Sequence, residues 1–322
     1  MGVLALIALP LLVGCTTAAP GGEEDPVGYP ADCRSIDLLL GLSAGGASDL
    51  AFRLLGEQLE AETGIDVQPL NVTGGGGIVA ISQLLATPAD GCTLGYSSIP
   101  SHLQYLFPES PAEYDKDDFS LVGGFGRARQ VLVVKADSPY QTLDDLIEAG
   151  RENGRLNVVA DSPIGTDAVI NAQLAEQTGV NIQQVIVGGG AEKVATLLGD
   201  QVDFMNGALA TVKGNVEAGE LRILAVWSED PAPGFEDVPT SSELGLDILA
   251  ESRYGLVLAA GAPEEVRQAL EDLLALIAEN PEYQQQNTDL GIETEFVSGE
   301  EYSAIWDEMA ATIESVDLSV LD

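Results

Sequence analysis

Strand-length apolar runs alternate with helical patterns along this chain, and several strands end in a glycine-rich turn that opens straight into a helix. The first example is "GLSAGGASDLAFRLL", Gly41 to Leu55. This alternation restricts the fold more than any other feature, because strand, helix, strand units pair as parallel strands joined by right-handed crossovers. The spacing predicts a strand from Ile36 to Leu42 and a helix from Ser48 to Ala61, whose Leu50, Leu54, Leu55 and Leu59 recur at helical intervals. A strand "DVQPL", a loop "NVTGGGG", a helix "GIVAISQLLAT" and a strand within "DGCTLGYSS" follow. Right-handed crossovers place this third strand beside the first.

A second series begins after "GGFGRARQ". It reads as strand Val131 to Lys135, strand "LNVVADS", helix "DAVINAQLAEQTG", strand "QQVIV", loop "GGGAE", a helix, and strands "QVDFM" and "RILAVWS". With 322 residues the chain can form two lobes of ordinary size. The expected fold is α/β and two-lobed, each lobe a mostly parallel sheet flanked by helices, with a ligand cleft between them. Lobe 1 is expected from 33–127 and 253–322, and lobe 2 from 128–252. The lobes share a local signature: Ser43-Ala44-Gly45-Gly46-Ala47-Ser48-Asp49 in the first answers Ser162-Pro163-Ile164-Gly165-Thr166-Asp167 in the second.

Each signature is a strand end, a glycine turn and a Ser/Thr-Asp helix start. The free N–H groups of a first helical turn favour an anion, and open α/β sheets bind ligands at their strand carboxyl ends. Neither G-x-x-x-x-G-K-[ST] nor G-x-G-x-x-G occurs in the opening loop, and no lysine follows its glycines, so a small carboxylate fits better there than a nucleotide. The bland reading is that the glycines serve only close packing of helix on strand. No cofactor is expected.

Charge narrows the partners further. Lys and Arg number 13 against 52 Asp and Glu, a net charge of −39. Nucleic acid is excluded as a natural partner, and an anionic membrane surface would repel the folded body. Self-repulsion on this scale is tolerable at molar salt, where the Debye length is about 3 Å, so a salt-adapted source is expected. The N-terminal run "MGVLALIALPLLVGC" resembles a bacterial lipoprotein signal peptide with its lipid-bearing cysteine, Cys15, last, although no Lys or Arg precedes it. Residues 1–15 are then the signal and 16–32 a flexible tether; the other reading of the run is a short buried helix. A mature protein held by lipid outside the cytoplasmic membrane, or periplasmic, is expected. In an oxidising space Cys33 and Cys92 can pair, since each precedes a strand and adjacent parallel strands would set them side by side; two independent thiols are the alternative.

The ordered pieces "SAGGASDLAFRLLGEQL", "NVTGGGGIVAISQLLATPADGCTL", "YDKDDFSLVG", "SPYQTLDDLI", "LLGDQVDFM", "ELRILAVWSEDPAP", "DVPTSSELG" and "YGLVLAAGAPEEV" resemble the extracytoplasmic receptors of tripartite tricarboxylate transporters, the Bug family of solute-binding proteins. The resemblance covers nearly the whole mature chain. It implies a periplasmic-binding-protein-like fold that closes on a di- or tricarboxylate or similar organic acid, and delivery to a membrane permease. It implies that Ala44, Gly45, Gly46, Ala47, Ser48 and Asp49 meet the distal carboxylate, largely through backbone amides. Gly165 and Thr166 would face the proximal one, with Gly189, Gly190 and Ala191 beside them and Ser97 and Ser98 ending the third strand. This sequence departs from the family at Val187 and Gly188, where an aromatic and a lysine are usual, and at Arg253, where a cleft tryptophan is usual.

Three of the nine arginines, Arg127, Arg129 and Arg253, fall where the chain should cross between lobes. A guanidinium fork there could hold a carboxylate; a hinge ion pair with a neighbouring acid is the alternative reading. His102 is the sole histidine, without a G-x-S-x-G elbow or a second metal-ligating residue near it, and the acidic runs lack EF-hand spacing, so neither catalysis nor a metal site is expected. Ile305, Met309 and Ile313 mark the inward face of a C-terminal helix. The expected function is capture, by a monomer. A sensor that presents the bound metabolite to a signalling partner, and an enzyme, are the readings from other classes.

Overall fold

The computed structural model describes residues 29, 32–99, 101–108, 110–187 and 189–321. Cys15 and most of 16–32 lie outside the described residues. The first series is strand β1 (Ser35–Leu40), helix α1 (Ala47–Thr63), β2 (Asp66–Asn71), α2 (Ile78–Leu85) and β3 (Thr93–Ile99). A long strand β4 (Phe119–Lys135) leads into α3 (Leu143–Asn153), β5 (Leu156–Ala160), α4 (Thr166–Thr178), β6 (Ile182–Ile186), α5 (Gly190–Leu198), β7 (Phe204–Ala208), α6 (Leu209–Glu217) and β8 (Leu221–Val226). The chain returns through β9 (Glu251–Ala259), α7 (Glu264–Ala278), α8 (Pro281–Asp289), β10 (Glu293–Ser298) and α9 (Gly299–Ser315), and closes with a 3-10 turn at Leu318–Leu321.

Strand order is β2-β1-β3-β9-β4 in the first half and β4-β7-β5-β6 in the second, with β10 and β8 also paired to β4. The strands β2, β1 and β3 run parallel, as do β6, β5 and β7, and β3 lies beside β1 as the crossover rule requires. Antiparallel strands complete each half, so both sheets are mixed. Strand β4 serves both: through Arg129 it pairs with β9, and from Gln130 onward with β7 and β8. The change at residues 129 and 130 marks the crossing between lobes.

Alternating side chains feed apolar clusters on the two faces of each sheet. Leu38 and Leu40 face α1 and α7, whereas Leu39 faces α2 and α9. In the second lobe Leu132 and Val134 join the cluster under α3 and α4, and Val131 and Val133 the one under α5 and α6. Helix α1 buries Ala51, Phe52, Leu55 and Leu59 and leaves Leu50 39% exposed. Leu55 and Leu59 of the expected stripe thus face inward with Leu54 at its margin, while Ala51 and Phe52 take the place expected of Leu50. The Phe52 ring meets Tyr96, Phe125 and Tyr254 edge-on at centroid distances of 5.8, 5.0 and 5.9 Å. Helix α9 buries Tyr302, Trp306 and Ile313, with Ile305 and Met309 at the margin of that stripe.

Cys33 and Cys92 are joined as a disulfide, Cα atoms 5.4 Å apart, at the amino ends of the neighbouring strands β1 and β3. Beside it the Tyr29 hydroxyl donates to the Gly91 carbonyl at 2.8 Å. The lobes also touch away from the hinge. Val169 and Ile164 pack into the lobe 1 cluster of α2 and α9, and Val320 and Leu321 of the C-terminal turn pack into the lobe 2 cluster of α3 and α4. Among the described residues no helix is long and apolar enough to cross a membrane.

Candidate functional site

The carboxyl ends of β1 and β5, the central strands of the two parallel triplets, each lead into a loop that opens a helix, α1 and α4. In lobe 1, Ser43 to Gly46 are exposed and lead into α1, whose N-cap Gly46 carries no side-chain cap. Gly45 requires its glycine, with φ at +83°. The loop is held from behind by Asp49, which is 1% exposed. Its Oδ2 accepts from Gly45 N–H at 2.8 Å and Arg53 Nε at 2.9 Å, and its Oδ1 accepts from Asn71 Nδ2 at 2.6 Å. Burial works to raise this carboxyl, but the bonds from Arg53, Asn71 and Gly45 outweigh it and hold the group below the ordinary carboxylate range. Asp49 thus shapes the loop, and the N-cap Gly46 supplies no side-chain bond to the first turn of α1. Ser48 is half-buried, its hydroxyl 2.8 Å from that of Tyr254.

Lobe 2 repeats the scheme with other residues. Gly165, φ +107°, caps α4 with no side-chain bond, and Gly189 caps α5 likewise. Thr166 is the first residue of α4, followed by Asp167, 5% exposed and paired with Lys193 Nζ at 2.5 Å. Burial pushes the Asp167 carboxyl upward, against the pull of Lys193. The two lobes' loops confront each other directly: a Cβ built on Gly189 would stand 3.9 Å from Ser43 Oγ. By contrast α3, α8 and α9 have their first turns capped by Thr142, Asn280 and Ser298.

Other residues singled out in the sequence fall elsewhere. Ser97 is buried and bonded to the Tyr302 hydroxyl at 2.9 Å; Ser98, 6% exposed, gives its N–H to His102 Nδ1 at 3.4 Å. His102 sits in an aromatic box of Tyr96, Phe119 and Trp306, and burial lowers its pKa from 6.5 to about 4. Arg253 meets Glu251 at 2.8 Å and Glu295 at 2.5 Å, Arg129 meets Glu251 at 2.8 Å and Glu293 at 2.7 Å, and Arg127 meets Glu293 at 3.0 Å. These arginines and glutamates form an ion-pair ladder across the hinge strands. The cations carried on α1, α5, β4 and β9, namely Arg53, Lys193, Arg127, Arg129, Lys135 and Arg253, are each engaged by a carboxylate. Around these loops the neighbouring cations are therefore already paired with carboxylates.

Lys193 and the Arg53–Asn71 support were missed from the sequence. The i, i+4 spacing of Asp49 and Arg53 was a usable signal; nothing local marks Lys193. Among the described residues no group of three or more His, Cys, Asp or Glu is placed to hold a metal ion.

Residues 51–316 match the profile of the tripartite tricarboxylate transporter family receptor. The chain belongs to this family. It is 29% identical over 297 residues to a UPF0065 protein in the gbd 5' region of Cupriavidus necator, covering 90% of each chain. It is 29% identical over 261 residues to protein BugT of Bordetella pertussis, covering 80% of this chain and 78% of BugT. Among solved structures it is similar to R. palustris Rpa4515 with adipate, with a TM-score of 0.80 and 25% identity over 87% of this chain and 97% of that one. The two-lobed architecture is thus that of periplasmic solute-binding receptors, and a receptor of this family captures a solute instead of transforming it.

Proposed function

We propose that this receptor binds a small di- or tricarboxylate in the crevice between the β1–α1 loop and the loops that start α4 and α5, and hands it to a membrane permease of the tripartite tricarboxylate type. The observation that carries the reading is the approach of two glycine-capped helix starts, the β1–α1 loop meeting the start of α5 where a Cβ on Gly189 would stand 3.9 Å from Ser43 Oγ, with Gly165 capping the neighbouring α4 in the same way. Amide donors of this kind recognise an anion's oxygens at each end and are indifferent to what joins them. The adipate found with Rpa4515 is such a molecule, with a carboxylate at each end. Ala44 to Ser48 take one carboxylate and Gly165, Thr166, Gly189 and Gly190 the other. Asp49 and the Asp167–Lys193 pair hold these loops in shape.

Because the ion-pair ladder occupies Arg127, Arg129 and Arg253, the guest's charge is met by dipoles and the enclosing lobes. Closing the lobes on the acid generates the form that a permease distinguishes from the empty receptor. Lipid attachment at Cys15 would keep the receptor at the outer face of the membrane where the permease lies. The test is native mass spectrometry of protein purified without added ligand, followed by calorimetry with succinate, adipate and citrate in high salt. A retained organic acid, or saturable binding of one of the three, supports the reading. Binding of an uncharged or cationic solute in their place overturns it.

A further inference from the structure

Helices α1 and α4 share a second feature: each carries a buried aspartate in its first turn, and each aspartate is matched by a cation. Asp49 is answered by Arg53, one turn along the same helix. The partner of Asp167 comes instead from the next helix: Lys193, the fourth residue of α5, sets Nζ 2.5 Å from Oδ2 of Asp167, the second residue of α4. Both residues are 5% exposed, whereas the glutamate side chains of the hinge ladder are 17% exposed or more. Water and salt therefore screen little of what this pair does.

The pair also stands close to where a guest would sit. Helix α5 starts where lobe 1 comes near, a Cβ on Gly189 standing 3.9 Å from Ser43 Oγ. Lys193 is four residues beyond Gly189, about 6 Å along the axis, and a long side chain on a helix leans back toward the N-terminus. Asp167 follows Gly165 and Thr166 directly. An anion at these helix starts feels the two charges with opposite sign. One unit charge about 7 Å from a carboxylate changes its affinity by roughly ten- to fiftyfold, for an effective dielectric constant of about 40 down to about 20. Matched as an ion pair, the two factors offset each other.

We propose that Asp167 determines which acids this receptor accepts, by cancelling the charge of Lys193 beside the helix starts of lobe 2. With the pair intact, amide donors read the oxygens of a carboxylate and the guest's total charge counts for little. Without Asp167, Lys193 is a cation available to the guest, and affinity rises most for the most highly charged acid. This rests on the reading that the starts of α4 and α5 receive a carboxylate. If the pair were only a tie between α4 and α5, loss of either partner would weaken binding. The proposed role predicts the opposite sign for one of them.

The experiment compares Asp167→Asn, Lys193→Met and the double variant by calorimetry. The probes are whichever of succinate, adipate and citrate the wild type binds most tightly, and the monoamide of that acid, which has one charge fewer. Asp167→Asn is expected to bind the acid about tenfold more tightly, with a smaller gain for the monoamide, and Lys193→Met about tenfold more weakly. The double variant returns to within about threefold of wild type. Thermal unfolding of each variant shows whether it is folded. If Asp167→Asn does not fold, the double variant against Lys193→Met decides: losing the unpaired carboxylate must then tighten binding. Weaker or unchanged affinity in folded Asp167→Asn, an equal gain for acid and monoamide, or equal affinities in Lys193→Met and the double variant would overturn the role of Asp167 and leave the site's function standing. If the wild type binds none of the three acids, the carboxylate reading falls and this one with it.

Discussion

Replacing Gly46 by valine separates occupancy of the crevice from stability of the fold. Gly46 has φ −74° and ψ 158°, an extended conformation that valine adopts readily, and a Cβ there meets only the Ser43 carbonyl at 3.7 Å, an ordinary contact. Valine is a poorer N-cap than glycine, which costs about 1 kcal/mol and shifts the thermal midpoint by about 1–2 °C in a chain of 322 residues. Its methyl groups, however, add bulk to an exposed loop at the N-cap of α1, where the proposed acid would approach the first N–H groups. If a carboxylate takes two charge-assisted bonds from those groups, each of about 1.5–3 kcal/mol, blocking them lowers affinity at least about a hundredfold. Calorimetry of Gly46→Val and Gly46→Ala with the bound acid, alongside thermal unfolding, measures both effects; the smaller alanine is expected to lose much less. Wild-type affinity in a folded Gly46→Val protein would show that the loop only packs a helix.

The net charge of −39 predicts that thermal unfolding shifts upward by many degrees between dilute buffer and molar NaCl; a midpoint indifferent to salt would remove the inference of salt adaptation. The Cys33–Cys92 bridge spans 59 residues, so the chain-entropy relation gives about 4 kcal/mol, and denaturant unfolding of Cys33→Ser/Cys92→Ser against the oxidised protein should show a loss of that order. His102 is held neutral when folded, its pKa lowered from 6.5 to about 4 by burial, whereas the unfolded chain protonates it near 6.5. Its contribution is complete above that value and is lost as pH falls from 6.5 toward 4, by at most about 3 kcal/mol. Unfolding curves at pH 7 and 4.5 should therefore show a smaller acid-induced loss in His102→Phe than in wild type; equal losses would exclude the histidine as a cause.

The parallel triplets, the order of β1 and β3 and the glycine turns that open α1 and α4 could be read from the chain because each rests on local pattern: strand-length apolar runs, glycine turns and crossover handedness. The crossing strands could not. β4 and β9 pair across more than a hundred residues of sequence, and this antiparallel pairing sets Arg127 beside Arg253, while β4 makes the second sheet mixed through its antiparallel pairing with β7 and β8. The glutamates that engage the arginines lie on β9 and β10, so local reading could name the cations but not decide between a ligand and an ion pair. The leucine stripe placed Leu54, Leu55 and Leu59 against the core but counted Leu50, whose place is taken by Ala51 and by Phe52 with its aromatic contacts. Lys193 was invisible for a similar reason: its partner Asp167 sits on another helix.

The central claim is that a carboxylate bridges the two glycine-capped loops, and a crystal structure of the protein with its retained or titrated acid tests it most directly. The account predicts carboxylate oxygens within about 3 Å of backbone N–H groups in Ala44 to Ser48 on one side and of Gly165, Thr166 or Gly189 on the other. An acid held by Arg253 with its glutamates displaced, or lying outside the crevice altogether, would contradict it.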